Sequence, residues 1–188
     1  MLTTQKTCEK QNKIIQTMTT EELMFEDEAL SFLQKALLLT NGTVTDLLKL
    51  FTRSKIIAKR IQQEFVLSGK SEEFLCPANT PILKRKILLG NESDDFMYAD
   101  SIFIYENLPQ VIKNELLETD CPVGLLWKRE KIEMYREIQE IRKEYCNGLV
   151  DYFNVMPGTL FLSRTYLLYS NRKTLGIITE KFPAVFFN

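Results

Sequence analysis

The chain is predicted to fold as a single α+β domain around an antiparallel sheet, and three observations carry that expectation. Its 188 residues are 45% apolar, enough for one buried core and too few for two full domains. Two pairs of strand-like runs are each joined by a short polar connection, the signature of hairpins. The helical segments cluster early and in the middle instead of alternating with strands, which argues against βαβ units and a parallel sheet.

In order along the chain, residues 1–27 read as a polar N-terminal segment, partly mobile, ahead of a domain over 28–188. Thr19 and Glu22 have capping-box spacing and open a short helix. A second helix is expected over 28–39, ending at Asn41-Gly42. Thr43 or Thr45 caps the next, over 46–52, with Leu47, Leu48, Leu50 and Phe51 turned inward. Residues 56–67 read as a strand and 68–80 as a loop. Pro81 introduces a strand over 82–89, which turns through 90–95 into an aromatic and β-branched strand over 96–105. Pro109 opens a helix to Glu118. After the break at Cys121-Pro122-Val123-Gly124, Trp127, Met134, Ile138, Ile141 and Tyr145 form an apolar stripe that predicts a long helix over 125–145. Runs over 160–169 and 174–182, joined by Ser170-Asn171-Arg172-Lys173, form the last hairpin.

Two of these strands carry a charge on the face that should be dry. Alternation puts Arg85 with Leu83, Ile87 and Leu89, and Glu180 with Gly176, Ile178 and Phe182. A charge in such company is costly unless an opposite charge or several hydrogen bonds meet it. Arg85 and Glu180 therefore either pair with each other or face a bound polar ligand. Lys84 and Lys86 point to the opposite face, and Gly176 leaves room beside Glu180 for a flat ligand.

Composition excludes several classes of function. The 24 basic and 25 acidic residues are interspersed, so no electrostatic footprint for nucleic acid or an anionic membrane is present. Apolar runs are far too short for a membrane span and the start has no signal-peptide pattern, so a cytoplasmic protein is expected. The chain contains no histidine, which removes imidazole-based triads and most zinc sites. Cys8, Cys76, Cys121 and Cys146 have no metal-ligand spacing. The seven glycines stand apart and form no phosphate loop. The expectation is a small-molecule ligand, with no metal and no cofactor.

Four stretches, taken in order, resemble the chorismate pyruvate-lyase family. They are Leu37-Leu38-Leu39-Thr40-Asn41-Gly42-Thr43-Val44-Thr45, Leu83-Lys84-Arg85-Lys86-Ile87-Leu88-Leu89, Cys121-Pro122-Val123-Gly124 and Ile177-Ile178-Thr179-Glu180-Lys181-Phe182-Pro183. The resemblance implies a sheet of about six strands, one more than periodicity supplies. It also implies helical flaps over a buried pocket, formed by the segments 46–52 and 111–118. Arg85 would bind a ring carboxylate, Glu180 would meet the hydroxyl end, and backbone near Val44 and Val123-Gly124 would complete the site. Val44 and Val123 replace other apolar residues of the family, and Asn41 stands where Asp is common.

The activity implied is cleavage of chorismate to 4-hydroxybenzoate and pyruvate without cofactor, with Arg85 and Glu180 as catalytic residues. Arg suits the carboxylate because its planar fork makes two charge-assisted bonds. Arg164 shares a face with Leu162, Tyr166 and Leu168, and is either a second carboxylate ligand or a structural partner. Arg136 matches a family Arg, and an ion pair with Glu133 or Glu140 explains it equally well. The rival reading is a non-catalytic sensor of an aromatic acid, because a related fold serves as the effector-binding module of transcription regulators. Against it, the residues before Leu37 contain no basic recognition helix. A scaffold that kept the fold and lost the chemistry is the third reading.

Overall fold

In the computed structural model, which describes residues 12–25 and 27–188, seven strands form one antiparallel sheet. They are β1 (Asn12–Met18), β2 (Ile57–Leu67), β3 (Pro81–Gly90), β4 (Asp95–Ile104), β5 (Tyr135–Cys146), β6 (Leu160–Ser170) and β7 (Lys173–Pro183). Their spatial order is β1-β5-β6-β7-β4-β3-β2. The two expected hairpins, β3–β4 and β6–β7, lie side by side through the β4–β7 pairing. The second turns tightly because Asn171 and Arg172 both take positive φ, 49° and 62°, the geometry that matches strand twist in a two-residue hairpin turn.

Helices α1 (Thr20–Phe25), α2 (Phe32–Leu39), α3 (Val44–Thr52), α4 (Gln110–Glu118), α5 (Val123–Arg129) and α6 (Val150–Phe153) complete the fold. The Thr19–Glu22 capping box is present, with the Glu22 N–H donating to Thr19 Oγ1 at 3.1 Å and the Thr19 N–H to the Glu22 carboxylate at 2.7 Å. A second box, Ser31 with Gln34, starts α2 later than expected. The face of the sheet bearing Leu83, Ile87, Ala99, Phe103, Leu168 and Ile178 packs against Leu37, Val44, Leu48, Ile112, Leu116, Leu126 and Trp127 of α2 to α5. On the other face, Leu88, Tyr98 and Phe161 are covered by Leu149, Val150 and Phe153. Ile82 and Ile104 meet Cys76 of the loop after β2 on that side. The expected outward turn of Lys84 and Lys86 holds: Lys84 Nζ lies 2.9 Å from Glu72, and Lys86 Nζ 3.7 Å from Asp100.

Three expectations need correction. The helix predicted over 125–145 is α5 followed by strand β5. Its stripe misled because Ile138 and Ile141, three residues apart, share a face through a β-bulge: Ile138 pairs with Tyr166 and Glu140 with Thr165, leaving Gln139 as the extra residue. The polar segment over 1–27 contributes β1, paired to β5, and α1 to the folded unit; residues 1–11, Cys8 among them, lie outside the described residues. Of the α3 residues expected inside, Leu48 is fully buried, but Leu50 and Phe51 are exposed.

Candidate active site

Strand register brings the charged strand residues onto one face. Arg85 lies opposite Ser101, which is opposite Ile178, which is opposite Tyr166. In the adjacent row Ile87, Ala99, Glu180 and Arg164 follow one another. Above these rows is a cavity with about 550 Å³ of empty space, open solvent at its mouth included. Its floor is Arg85, Ile87, Leu89, Met97, Ala99, Ser101, Ile178, Glu180, Tyr166, Leu168 and Arg136; its roof is Gly42 to Thr45, Pro122 to Gly124 and Trp127.

The roof consists of the start of α3 and the start of α5. A Cβ at Gly124 would lie 3.2 Å from Thr43 Cγ2, and Lys128 Nζ donates to Asp46 at 2.8 Å, so the two helices clasp each other. Thr43 donates its hydroxyl to Asp46 at 2.7 Å and makes no side-chain cap, while the Asp46 N–H donates to the Thr43 carbonyl at 3.1 Å. Val44, Val123 and Gly124 line this roof. The second flap is α5 and not 111–118: α4 packs into the core through Ile112 and Leu116 and does not line the cavity. Gly176 is also absent from the lining. A Cβ there would meet Ile102 O at 2.3 Å, so this glycine admits the backbone of β4 and makes no room for a ligand.

Arg85 is 1% exposed. Its Nη2 donates one long bond of 3.4 Å to Cys121 O, and its Nε is buried without a partner. No carboxylate lies within ion-pair distance among the described residues; Asp120, on this side of the molecule, is taken by Arg60 at 2.5 Å. Burial, with the like charge of Arg60, pulls the guanidinium down to about 10, so it remains a cation at neutral pH.

Glu180 is buried and engaged. Its Oε2 accepts from Arg164 Nε at 2.7 Å and its Oε1 from the Tyr166 hydroxyl at 2.9 Å. Burial, reinforced by Glu180, pushes the Tyr166 phenol far up, so it stays protonated and keeps donating. The two charged residues of the dry face do not pair with each other. Glu180 has a charged partner, whereas among the described residues Arg85 has none. Arg164 also donates through Nη1 to the carbonyls of Thr40 at 2.8 Å and Leu38 at 3.3 Å, and it does not line the cavity.

Arg136 stands on β5 and not on a helix. It makes none of the expected ion pairs, since Glu140 pairs with Arg142 at 2.5 Å. Its guanidinium lines the cavity, lies 5.9 Å from the centre of the Tyr166 ring and donates to Asn41 O. Trp127, the one tryptophan of the chain, was read as part of a helix stripe, yet its indole N–H is buried without a partner beside the cavity. Only the match of Arg136 to a family Arg pointed to either residue, because both depend on which face a bulged strand and a short helix present. Among the described residues no cluster of His, Cys, Asp or Glu suits a metal ion, and no helix is long and apolar enough to cross a membrane.

A sheet roofed by two clasped helices over a cation-bearing cavity defines an α+β domain suited to a small-molecule ligand. Comparison with known proteins gives the lineage. The profile of the Rv2949c-like chorismate pyruvate-lyases matches residues 38–188, and the chain belongs to that family. A chorismate pyruvate-lyase of Mycobacterium leprae is 28% identical over 128 residues, 66% of this chain and 59% of that protein; the match thus spans less than two thirds of that relative. A protein of Methanocaldococcus jannaschii that bears the name "Putative lyase MJ0807" is 29% identical over 157 residues, 79% of this chain and 77% of its own. Among solved structures, PhnF of Mycobacterium smegmatis superposes with a TM-score of 0.61 at 10% identity, over 77% of this chain and 65% of that one. Its effector domain alone gives 0.58 at 10% identity, over 78% and 91%. At such identities the likeness is one of fold.

Proposed function

We propose that this protein converts chorismate to 4-hydroxybenzoate and pyruvate in the cavity between the sheet and the α3–α5 roof. The observation that carries this reading is Arg85, a buried cation with no carboxylate of its own among the described residues, set in an apolar wall. Its fork takes the ring carboxylate through charge-assisted bonds that a dry cavity strengthens. Backbone at Val44 and Val123-Gly124 bounds the ligand from above. Glu180 already accepts two hydrogen bonds, but a carboxylate has about four lone-pair sites, so it still accepts the substrate hydroxyl while Arg164 and Tyr166 fix its plane.

The reaction breaks the ether C–O bond and removes the ring proton. Enolpyruvate leaves with the bond's electron pair and takes up a proton to become pyruvate, while the ring becomes aromatic. Aromatisation supplies much of the driving force, so the protein's part is orientation and exclusion of water. Arg164 acts here as the positioning partner of Glu180 and not as a ligand to the second carboxylate.

Two observations support a second reading, an aromatic-acid sensor. Glu180 is held by two protein donors, which suits a rigid binding wall as well as a reaction site, and the fold is that of a regulator's effector domain. Incubating the purified protein with chorismate, with and without chelator, and assaying both products separates the two. The lyase reading expects equal amounts of pyruvate and 4-hydroxybenzoate in both samples. The sensor reading expects binding of 4-hydroxybenzoate and no pyruvate.

A further inference from the structure

The cavity holds more positive charge than one carboxylate can satisfy. Of the three charged residues in its lining, Glu180 is neutralised by Arg164. Arg85 and Arg136 make no ion pair among the described residues. Each also has a buried Nε without a partner, as does the indole N–H of Trp127. All three unsatisfied groups are donors, and all three residues line the same cavity. Buried donors without acceptors are costly in the empty state, so this set is complementary to a ligand rich in acceptor oxygens.

The two cations approach from opposite sides. Arg85 stands on β3 and Arg136 on β5, with β4, β7 and β6 between them, about 19 Å apart at the backbone from four strand spacings. Their side chains converge from there on the ligand space, so a single small carboxylate at Arg85 leaves Arg136 unanswered. We infer that the cavity is built for a ligand with two separated carboxylates, the first held by Arg85 and the second by Arg136, with the Trp127 N–H as a further donor to the same ligand. This rests on the lyase reading for its consequence: the second carboxylate belongs to the part of the substrate that departs as pyruvate. Arg136 then distinguishes substrate, which engages both cations, from the aromatic product, which engages one.

Two stable probes test this without turnover. One is 3-(carboxymethoxy)benzoate, with its second carboxylate on an ether meta to the first; the other is benzoate. Binding is followed by calorimetry and by fluorescence of Trp127. Wild-type protein is expected to bind the dicarboxylate at least about 10-fold more tightly than benzoate. In Arg136→Gln the dicarboxylate should lose about 30-fold, the range for charge-assisted bonds, and benzoate less than about 3-fold. Arg136→Lys should recover part of the dicarboxylate affinity, since charge returns without the fork. Thermal melting checks that both variants are folded. With chorismate, the loss in Arg136→Gln should fall mainly on KM.

Equal binding of the two probes by wild type, binding of neither, or an equal loss of both in Arg136→Gln would overturn the inference. The lyase reading fails separately. Dicarboxylate preference without pyruvate from chorismate removes turnover and leaves the two-cation site, whereas turnover with an Arg136-independent KM removes the site and leaves the lyase.

Discussion

Replacing Arg85 by methionine separates recognition from folding. Arg85 is 1% exposed and has no carboxylate partner among the described residues, so in the ligand-free protein its charge opposes the fold. Burial draws the guanidinium to about 10, and the distance from an ordinary guanidinium corresponds to about 3 kcal/mol of lost hydration. Because the folded value lies below the unfolded one, this penalty is present in full at neutral pH, where the group is charged in both states, and is relieved only above pH 10. Methionine keeps the apolar stem and removes the charge, giving up only the 3.4 Å contact to Cys121. Ligand-free Arg85→Met should therefore melt higher, by about 6–12 °C for a domain of this size. It should bind 4-hydroxybenzoate about 30- to 1000-fold more weakly, since a charge-assisted pair is removed. Scanning calorimetry on ligand-free protein and a calorimetric titration read the two effects. A melting temperature several degrees below wild type would mean that Arg85 has a structural partner, and unchanged binding would move the anchor to another residue.

Glu180→Gln places an amide between two donors, Arg164 Nε and the Tyr166 hydroxyl. It leaves the buried Arg164 uncompensated, and a loss of about 3–5 kcal/mol is expected, seen as a lower melting temperature together with a fall of about 10²-fold in turnover per folded molecule. Unchanged melting would contradict the ion pair, and unchanged turnover would remove Glu180 from the chemistry. Glu72 is held down to about 2 by the Ser71 hydroxyl, Lys84 and the Gly69 N–H. Its folded value lies below the unfolded one, so its stabilisation is present above about pH 4.5 and is lost as pH falls towards 2. Glu72→Gln should be less stable than wild type at pH 7, with the two melting curves converging by about pH 2; a gap that persists there would refute the assignment.

The central hairpins and the rows bearing Arg85 and Glu180 were legible because period-2 alternation and Asn/Gly-containing turns are local signals. The order of the four family stretches likewise placed Val44 and Val123-Gly124 at the cavity. What was lost depended on non-local geometry. A single bulge at Gln139 gave a strand the apolar spacing of a helix, and with it went β5 and the inward face of Arg136. The partner of Glu180 was open for a similar reason. Arg164 and Glu180 share a face only because the β6–β7 register shifts by one residue between Leu168 and Tyr169, which sets the two directly opposite. Gly176 was read from its face alone, and its real neighbour is the backbone of the next strand.

The central claim is that the cavity turns chorismate over and does not merely hold its product. Mixing the protein in excess with chorismate, quenching at intervals and counting pyruvate against chorismate consumed tests this in a single turnover. The account predicts one pyruvate and one 4-hydroxybenzoate for each chorismate lost, with both released more slowly by Arg85→Met. Chorismate that binds, quenches or enhances Trp127 fluorescence and is recovered intact would contradict it and make this protein a sensor.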